Sequence, residues 1–151
     1  MTEDWENGGF GIYIHWPFCT AKCPYCDFNS HVRSNINQKQ WLKAYLNEIK
    51  RVSEKTSNRI LNSVFFGGGT PSLIEPSIIG DVLNEIQKHW KTKNNFEVTL
   101  EANPGSVDAK NFKAYKEAGV NRTSMGIQSL NTKDLNCLLY TSDAADEVSC
   151  G

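Results

Sequence analysis

Three cysteines, Cys19, Cys23 and Cys26, stand in a C-x3-C-x2-C spacing just after the apolar run Ile12-Tyr13-Ile14-His15-Trp16. Thiolates this close together suit a metal or a metal cluster. Structural zinc takes four ligands, usually as paired C-x2-C units or with His at fixed spacing. The nearest spare ligands, His15 and His31, sit in no such pattern. Ferredoxin-type clusters use four cysteines at other spacings. Three thiolates would hold three irons of a 4Fe-4S cluster and leave the fourth iron open to a small molecule. The spacing favours that reading, which implies redox chemistry at an open metal; a partial zinc site is the alternative. Disulfides are not expected. The start Met1-Thr2-Glu3-Asp4-Trp5-Glu6 is acidic and lacks the apolar core of a signal peptide. The chain is therefore expected in the cytoplasm, where thiols stay reduced.

Cys137 and Cys150 belong to a different problem. Residues 137–147, Cys-Leu-Leu-Tyr-Thr-Ser-Asp-Ala-Ala-Asp-Glu, look like the in-frame translation of a transposase adapter from sequencing libraries. Such a segment is set aside when the fold is read. The last 15 residues carry three acids and no Lys or Arg, so without them 16 basic residues face 14 acidic ones. The only other cysteines are the three of the motif. A balance this near neutral exerts no strong pull on nucleic acid or on membranes. No apolar run is long enough to span a bilayer. The length of 151 residues suits one small domain or a piece of a larger one. The expected division is an N-terminal extension at 1–9, a core at 10–136 and the tail at 137–151.

Elements that would position the cysteines alternate along the core. Ile12 to Trp16 reads as a buried strand ended by Pro17. Trp41, Leu42, Tyr45, Leu46, Ile49 and Val52 fall on one face of a helix. Val64-Phe65-Phe66 is a short strand running into Gly67-Gly68-Gly69. Pro76 suits the first turn of a helix whose apolar face is Ile78, Ile79, Val82, Leu83, Ile86 and Trp90. Phe96 to Leu100 is a third strand, and Arg122 to Ile127 a fourth. Between them Ser106 would cap a helix that carries Phe112 and Tyr115 and ends at Gly119. This β-α alternation predicts a parallel sheet, either doubly wound or of the triosephosphate isomerase barrel type. In both, sites form at the C-terminal ends of the strands. The cysteine loop, the Gly-rich turn, Glu101 and Gln128 each follow one of the four strands, so all four would meet at one rim. Glycines in that turn would let backbone come close to a ligand, but the turn is neither a P-loop nor a G-x-G-x-x-G fingerprint.

A cysteine triplet after the first strand and a Gly-rich turn after the second resemble the radical S-adenosyl-L-methionine (SAM) superfamily. Tyr13-Ile14-His15-Trp16-Pro17-Phe18-Cys19, Cys23-Pro24-Tyr25-Cys26-Asp27-Phe28-Asn29-Ser30-His31, Phe66 to Ser72, Glu101 to Gly105 and Gly119 to Ser129 resemble, more closely, the oxygen-independent coproporphyrinogen III oxidases and their heme-chaperone relatives. The likeness covers about residues 10–136. It implies an α/β fold, the N-terminal part of a radical SAM barrel with about four β-α units. It also implies that Cys19, Cys23 and Cys26 hold the cluster and that SAM chelates the open iron. An electron from the cluster would then split SAM into methionine and a 5′-deoxyadenosyl radical. By position, Tyr13 would lie near the cluster and SAM, and Tyr25 near the adenine. Gly68, Gly69 and Thr70 would line the methionine end, and Glu101 and Gln128 would bind polar groups of SAM.

The family divides in two. Coproporphyrinogen dehydrogenases usually carry a further Cys two positions after the third cluster cysteine, and Phe28 stands there in this chain. Cys26-Asp27-Phe28-Asn29-Ser30-His31 resembles the heme-chaperone branch, which binds heme and hands it to respiratory proteins. That branch implies heme as a further ligand and a reductant protein as a partner. One departure is Trp16, where an aliphatic residue commonly precedes the proline. His15 and His31 receive no role.

Overall fold

Alternation along the first strand puts Ile12, Ile14 and Trp16 on one face and Tyr13 and His15 on the other. The computed structural model, which describes residues 5–23, 25–103 and 109–137, builds the chain on that split. A single helical turn α1 (Trp5–Gly8) precedes β1 (Phe10–Trp16). Two two-residue strands, β2 (Phe18–Cys19) and β3 (His31–Val32), bracket the cysteine loop, followed by helix α2 (Gln38–Thr56). Then come β4 (Ile60–Gly68), the single helical turn Pro71–Leu73 and α3 (Pro76–His89). The rest is β5 (Lys91–Ala102), α4 (Ala109–Glu117), β6 (Arg122–Met125) and α5 (Thr132–Cys137).

The four long strands form one sheet in the order β1-β4-β5-β6, and every pairing is parallel. Each strand lies beside the next in sequence. A doubly wound sheet would reverse direction at a switch point. None occurs among the described strands, and their order is that of the opening section of a barrel. The core fills one face: Ile14, Trp16, Val64, Phe66, Val98 and Leu100 from the strands meet Ile49 of α2 and Ile78, Ile79, Val82, Leu83 and Ile86 of α3. Burying each of these side chains is worth roughly 1.5–3 kcal/mol. Trp16 belongs there: it is fully buried, its ring set edge-on to Phe18 and Trp41.

Helix boundaries follow local chemistry. The Asn37 side chain accepts the Gln40 N–H at 3.1 Å and caps α2. Pro76 opens α3. Gly119, at φ +110°, ends α4 as expected. There Val120 N–H reaches back to Tyr115 O at 3.0 Å and Gly119 N–H to Lys116 O at 3.1 Å, a Schellman ending.

The strands differ from expectation at their ends. β4 and β5 start earlier, at Ile60 and Lys91, where their first residues pair with each other. β6 stops at Met125 and not at Ile127, because its partner β5 ends at Ala102. Gly126 N–H still reaches Ala102 O at 3.0 Å, after which no ladder remains and Ile127 is exposed. The expected cap Ser106 lies outside the described residues, as does the tail from 138 onward.

Candidate functional site

The cysteine loop leaves the sheet at Pro17. Parallel pairing of Phe18 with His31 and of Cys19 with Val32 closes its base. His31 N–H binds Pro17 O at 2.7 Å and Arg33 N–H binds Cys19 O at 3.2 Å. His31 thus serves the loop base through its backbone. Cys19 is buried, Cys23 and Cys26 are half-buried, and all three thiols are free. Cys26 N–H turns back to Cys23 O at 3.0 Å. Burial pushes the Cys23 thiol up, a hydrogen bond from Tyr25 opposes this, and the neighbouring Cys26 and Cys19 add to the rise. The Cys23 sulfur therefore senses the other two, and its thiolate would gain from a nearby cation. Among the described residues no three His, Cys, Asp or Glu side chains converge on a single ion. Cluster thiolates bind separate irons, so they stand wider apart than the ligands of one ion. This donor set suits a cluster.

The three glycines at the end of β4 and just beyond it make room for three different groups. A Cβ on Gly67 would come within 2.8 Å of the Tyr13 ring. On Gly68, at φ +119°, it would come 2.6 Å from Trp16 O and 2.8 Å from the His15 ring. On Gly69 it would lie 2.6 Å from Phe18 O and 2.9 Å from Cys19 Sγ. The missing side chains thus let the second strand end press against the cysteine loop. Gly69 N–H binds Trp16 O at 2.7 Å and Thr70 N–H binds Phe18 O at 2.8 Å, which fastens the two together.

Glu101, at the end of β5, accepts the Gly68 N–H at 3.2 Å. Gly68, Gly69, Thr70, Glu101 and Gln128 line one cleft of about 180 Å³. Thr70 is buried within its wall, and Gln128 is exposed, its amide donating to Gly126 O at 3.3 Å. Tyr13 and Tyr25 stand outside this cleft. Tyr13 lies on the open sheet face, its ring stacked on Phe65 at 6.0 Å between centroids. Its phenol is raised above its ordinary value, first by burial and then by the Glu101 charge. Tyr25 projects from the loop, 43% exposed. Phe28, Asn103 and Ser124 also line the cleft, and the sequence reading gave them no role. The strand-end rule that selected Glu101 reaches Asn103, two residues further on.

Two other features carry no comparable chemistry. A cavity of about 870 Å³ lies at the opposite ends of β4 and β5, lined by Ser57 to Ile60 and Gln87 to Thr92. Between α2 and α3, His89 Nδ1 lies 3.2 Å from Ser53 Oγ and His89 Nε2 lies 3.2 Å from Glu85. This is not a nucleophilic triad. The Ser53 hydroxyl is buried and donates to Lys50 O at 2.7 Å, so the line is a staple between helices.

Sheet, rim and cysteine loop together define a barrel-type protein whose candidate site lies at the strand ends. The radical SAM superfamily model matches residues 13–144, and the chain belongs to that superfamily. Membership implies a 4Fe-4S cluster and SAM. Within the superfamily the chain is similar to proteins named heme chaperones and to a coproporphyrinogen III oxidase. It is 45% identical over 143 residues to the heme chaperone HemW of Haemophilus influenzae, covering 91% of this chain and 37% of that protein. It is 38% identical over 137 residues to a mitochondrial radical S-adenosyl methionine domain-containing protein 1 of Bos taurus, covering 91% of this chain and 31% of that one. Among solved structures, the coproporphyrinogen III oxidase HemN of Escherichia coli superposes with a TM-score of 0.76 at 25% identity, over 85% of this chain and 30% of that one. The chain thus spans 37% and 31% of the two sequence relatives' lengths. No described helix is long and apolar enough to cross a membrane.

Proposed function

We propose that this chain is the cofactor-binding part of a heme chaperone. Cys19, Cys23 and Cys26 hold a 4Fe-4S cluster. Gly68, Gly69 and Thr70 would hold the methionine end of SAM, and Glu101 and Gln128 its polar groups. Tyr13 stands near the cluster and Tyr25 near the adenine. When bound, the cluster supplies one electron to SAM. The chain's own residues seat the loop, orient the sulfonium compound and close the sheet side of the site to water. The whole protein takes an electron from a reductant protein and hands heme to respiratory acceptors. Three free thiols suit a reducing compartment such as the cytoplasm.

One observation carries this reading over porphyrin synthesis: Phe28, 69% exposed, occupies the position two after Cys26. The resemblance to decarboxylating relatives asks for a further Cys there. The likeness to HemN supports the second reading, oxidative decarboxylation of coproporphyrinogen III to protoporphyrinogen IX. Anaerobic reconstitution with iron and sulfide is expected to give a brown protein whose colour is lost in Cys19→Ala. Colourless protein would sink the cluster. In the full-length protein, stable heme binding without propionate decarboxylation supports the chaperone; turnover of the porphyrinogen overturns it.

A further inference from the structure

We propose that His15 is a positioning residue, which pins the return limb of the cysteine loop to β1 and aims the Tyr13 hydroxyl. His15 Nε2 lies 3.2 Å from the backbone oxygen of Asn29, three residues past Cys26. A carbonyl oxygen only accepts, so Nε2 carries the proton. The other ring nitrogen, Nδ1, then offers a lone pair to the Tyr13 hydroxyl 3.4 Å away. One imidazole therefore joins three pieces of the site in a fixed sense: Tyr13 donates to His15, and His15 donates to Asn29.

Its surroundings are built for this. The ring lies against Gly68, where a Cβ would come within 2.8 Å of Cε1 and Nδ1. From the other side of β1, the Tyr45 hydroxyl donates to His15 O at 2.7 Å and holds the strand backbone. The loop base is tied at Pro17 and Cys19, as described above. The His15 bond ties the limb between Cys26 and Ser30, beyond the reach of that base. Losing a partner that orients a metal ligand from outside typically costs about 10–100-fold in metal affinity or activity. By this logic His15 fixes where Cys26 and Tyr13 stand relative to the open metal position.

The inference rests on the reading of the loop as a cluster seat, and the test separates the two. In the full-length protein, iron content of the parent reports on the cluster alone. His15→Ala keeps all three cysteines, so its iron content is expected to match the parent. Its SAM affinity is expected to fall about tenfold, the scale at which outer partners of metal ligands act. Affinity is read from the SAM-dependent change in the electron paramagnetic resonance of the reduced protein. His15→Gln offers an amide donor and an acceptor oxygen, and is expected to recover most of the affinity. A parent without iron removes the cluster reading and this role with it. An iron-loaded parent whose Ala variant binds SAM normally overturns the role of His15 alone. So does a Gln variant no better than Ala, and that comparison also decides the matter if Ala loses its iron.

Discussion

Glu101 serves two neighbours at once. Its carboxylate accepts the Gly68 N–H and its charge reaches the Tyr13 phenol. Burial is the larger cause of the raised Tyr13 value, and Glu101 the smaller. Glu101→Gln is therefore expected to lower the Tyr13 titration part of the way towards 10.0 and no further. An NMR titration of the Tyr13 ring checks this; an unmoved midpoint would mean that the charge does not reach the phenol. Glu101 and the three cysteines stand out in the sequence, because their side chains can bind or react and each lies at or beyond the end of an expected strand. His15 does not. Its partners are the residue two before it and a backbone oxygen 14 residues on, and no spacing rule marks a backbone oxygen. The separate duties of Gly67, Gly68 and Gly69 are hidden for the same reason: they depend on which group lies opposite each missing Cβ.

The turn Pro71–Leu73 shows how helices hold the rim in place. It follows the cleft residue Thr70 and is gripped from two sides. The Gln38 amide donates to Leu73 O at 3.0 Å, and its oxygen accepts Glu75 N–H at 2.8 Å. From α4 the Tyr115 hydroxyl donates to Ser72 O at 2.5 Å and Ile74 O at 3.1 Å. Tyr115→Phe removes that donor and is expected to cost about 1–3 kcal/mol. In the full-length protein a lower urea midpoint with unchanged slope would show it. The phenol also predicts an alkaline limb. Burial pushes Tyr115 up from 10.0 to about 12. Above pH 10 the unfolded chain releases this proton while the folded chain keeps it. Its contribution is thus complete below pH 10 and is lost as pH rises to about 12. The stability difference between parent and Tyr115→Phe should shrink over that window. At this scale the sequence was most readable where periodicity was long. The apolar face of α3 is buried as expected, from Ile78 to Ile86. The pair β2 and β3, two residues each, has no period to read, and its pairing depends on the loop closing.

As a whole molecule the described sheet has two free edges, since β1 pairs with β4 alone and β6 with β5 alone. An unpaired edge presents a row of N–H and C=O groups to other chains. The two edges are not equally exposed to that hazard. β6 is four residues long and begins with Arg122, a short charged edge of the kind that resists pairing. β1 is seven residues, Phe-Gly-Ile-Tyr-Ile-His-Trp, aromatic and β-branched without a carboxylate, Lys or Arg, which is the composition that stacks. At the end of β6 and beyond it, Met125, Ile127 and Leu130 are exposed as well. The 151-residue chain taken by itself is therefore expected to associate with rising concentration. Sedimentation should show species heavier than the 17.0 kDa monomer. Hydrogen exchange in those species should protect the β1 amides that face away from β4, and leave β6 unprotected. A clean monomer with one cooperative melt would contradict the expectation. Protection confined to β6 would place the contact on the other edge.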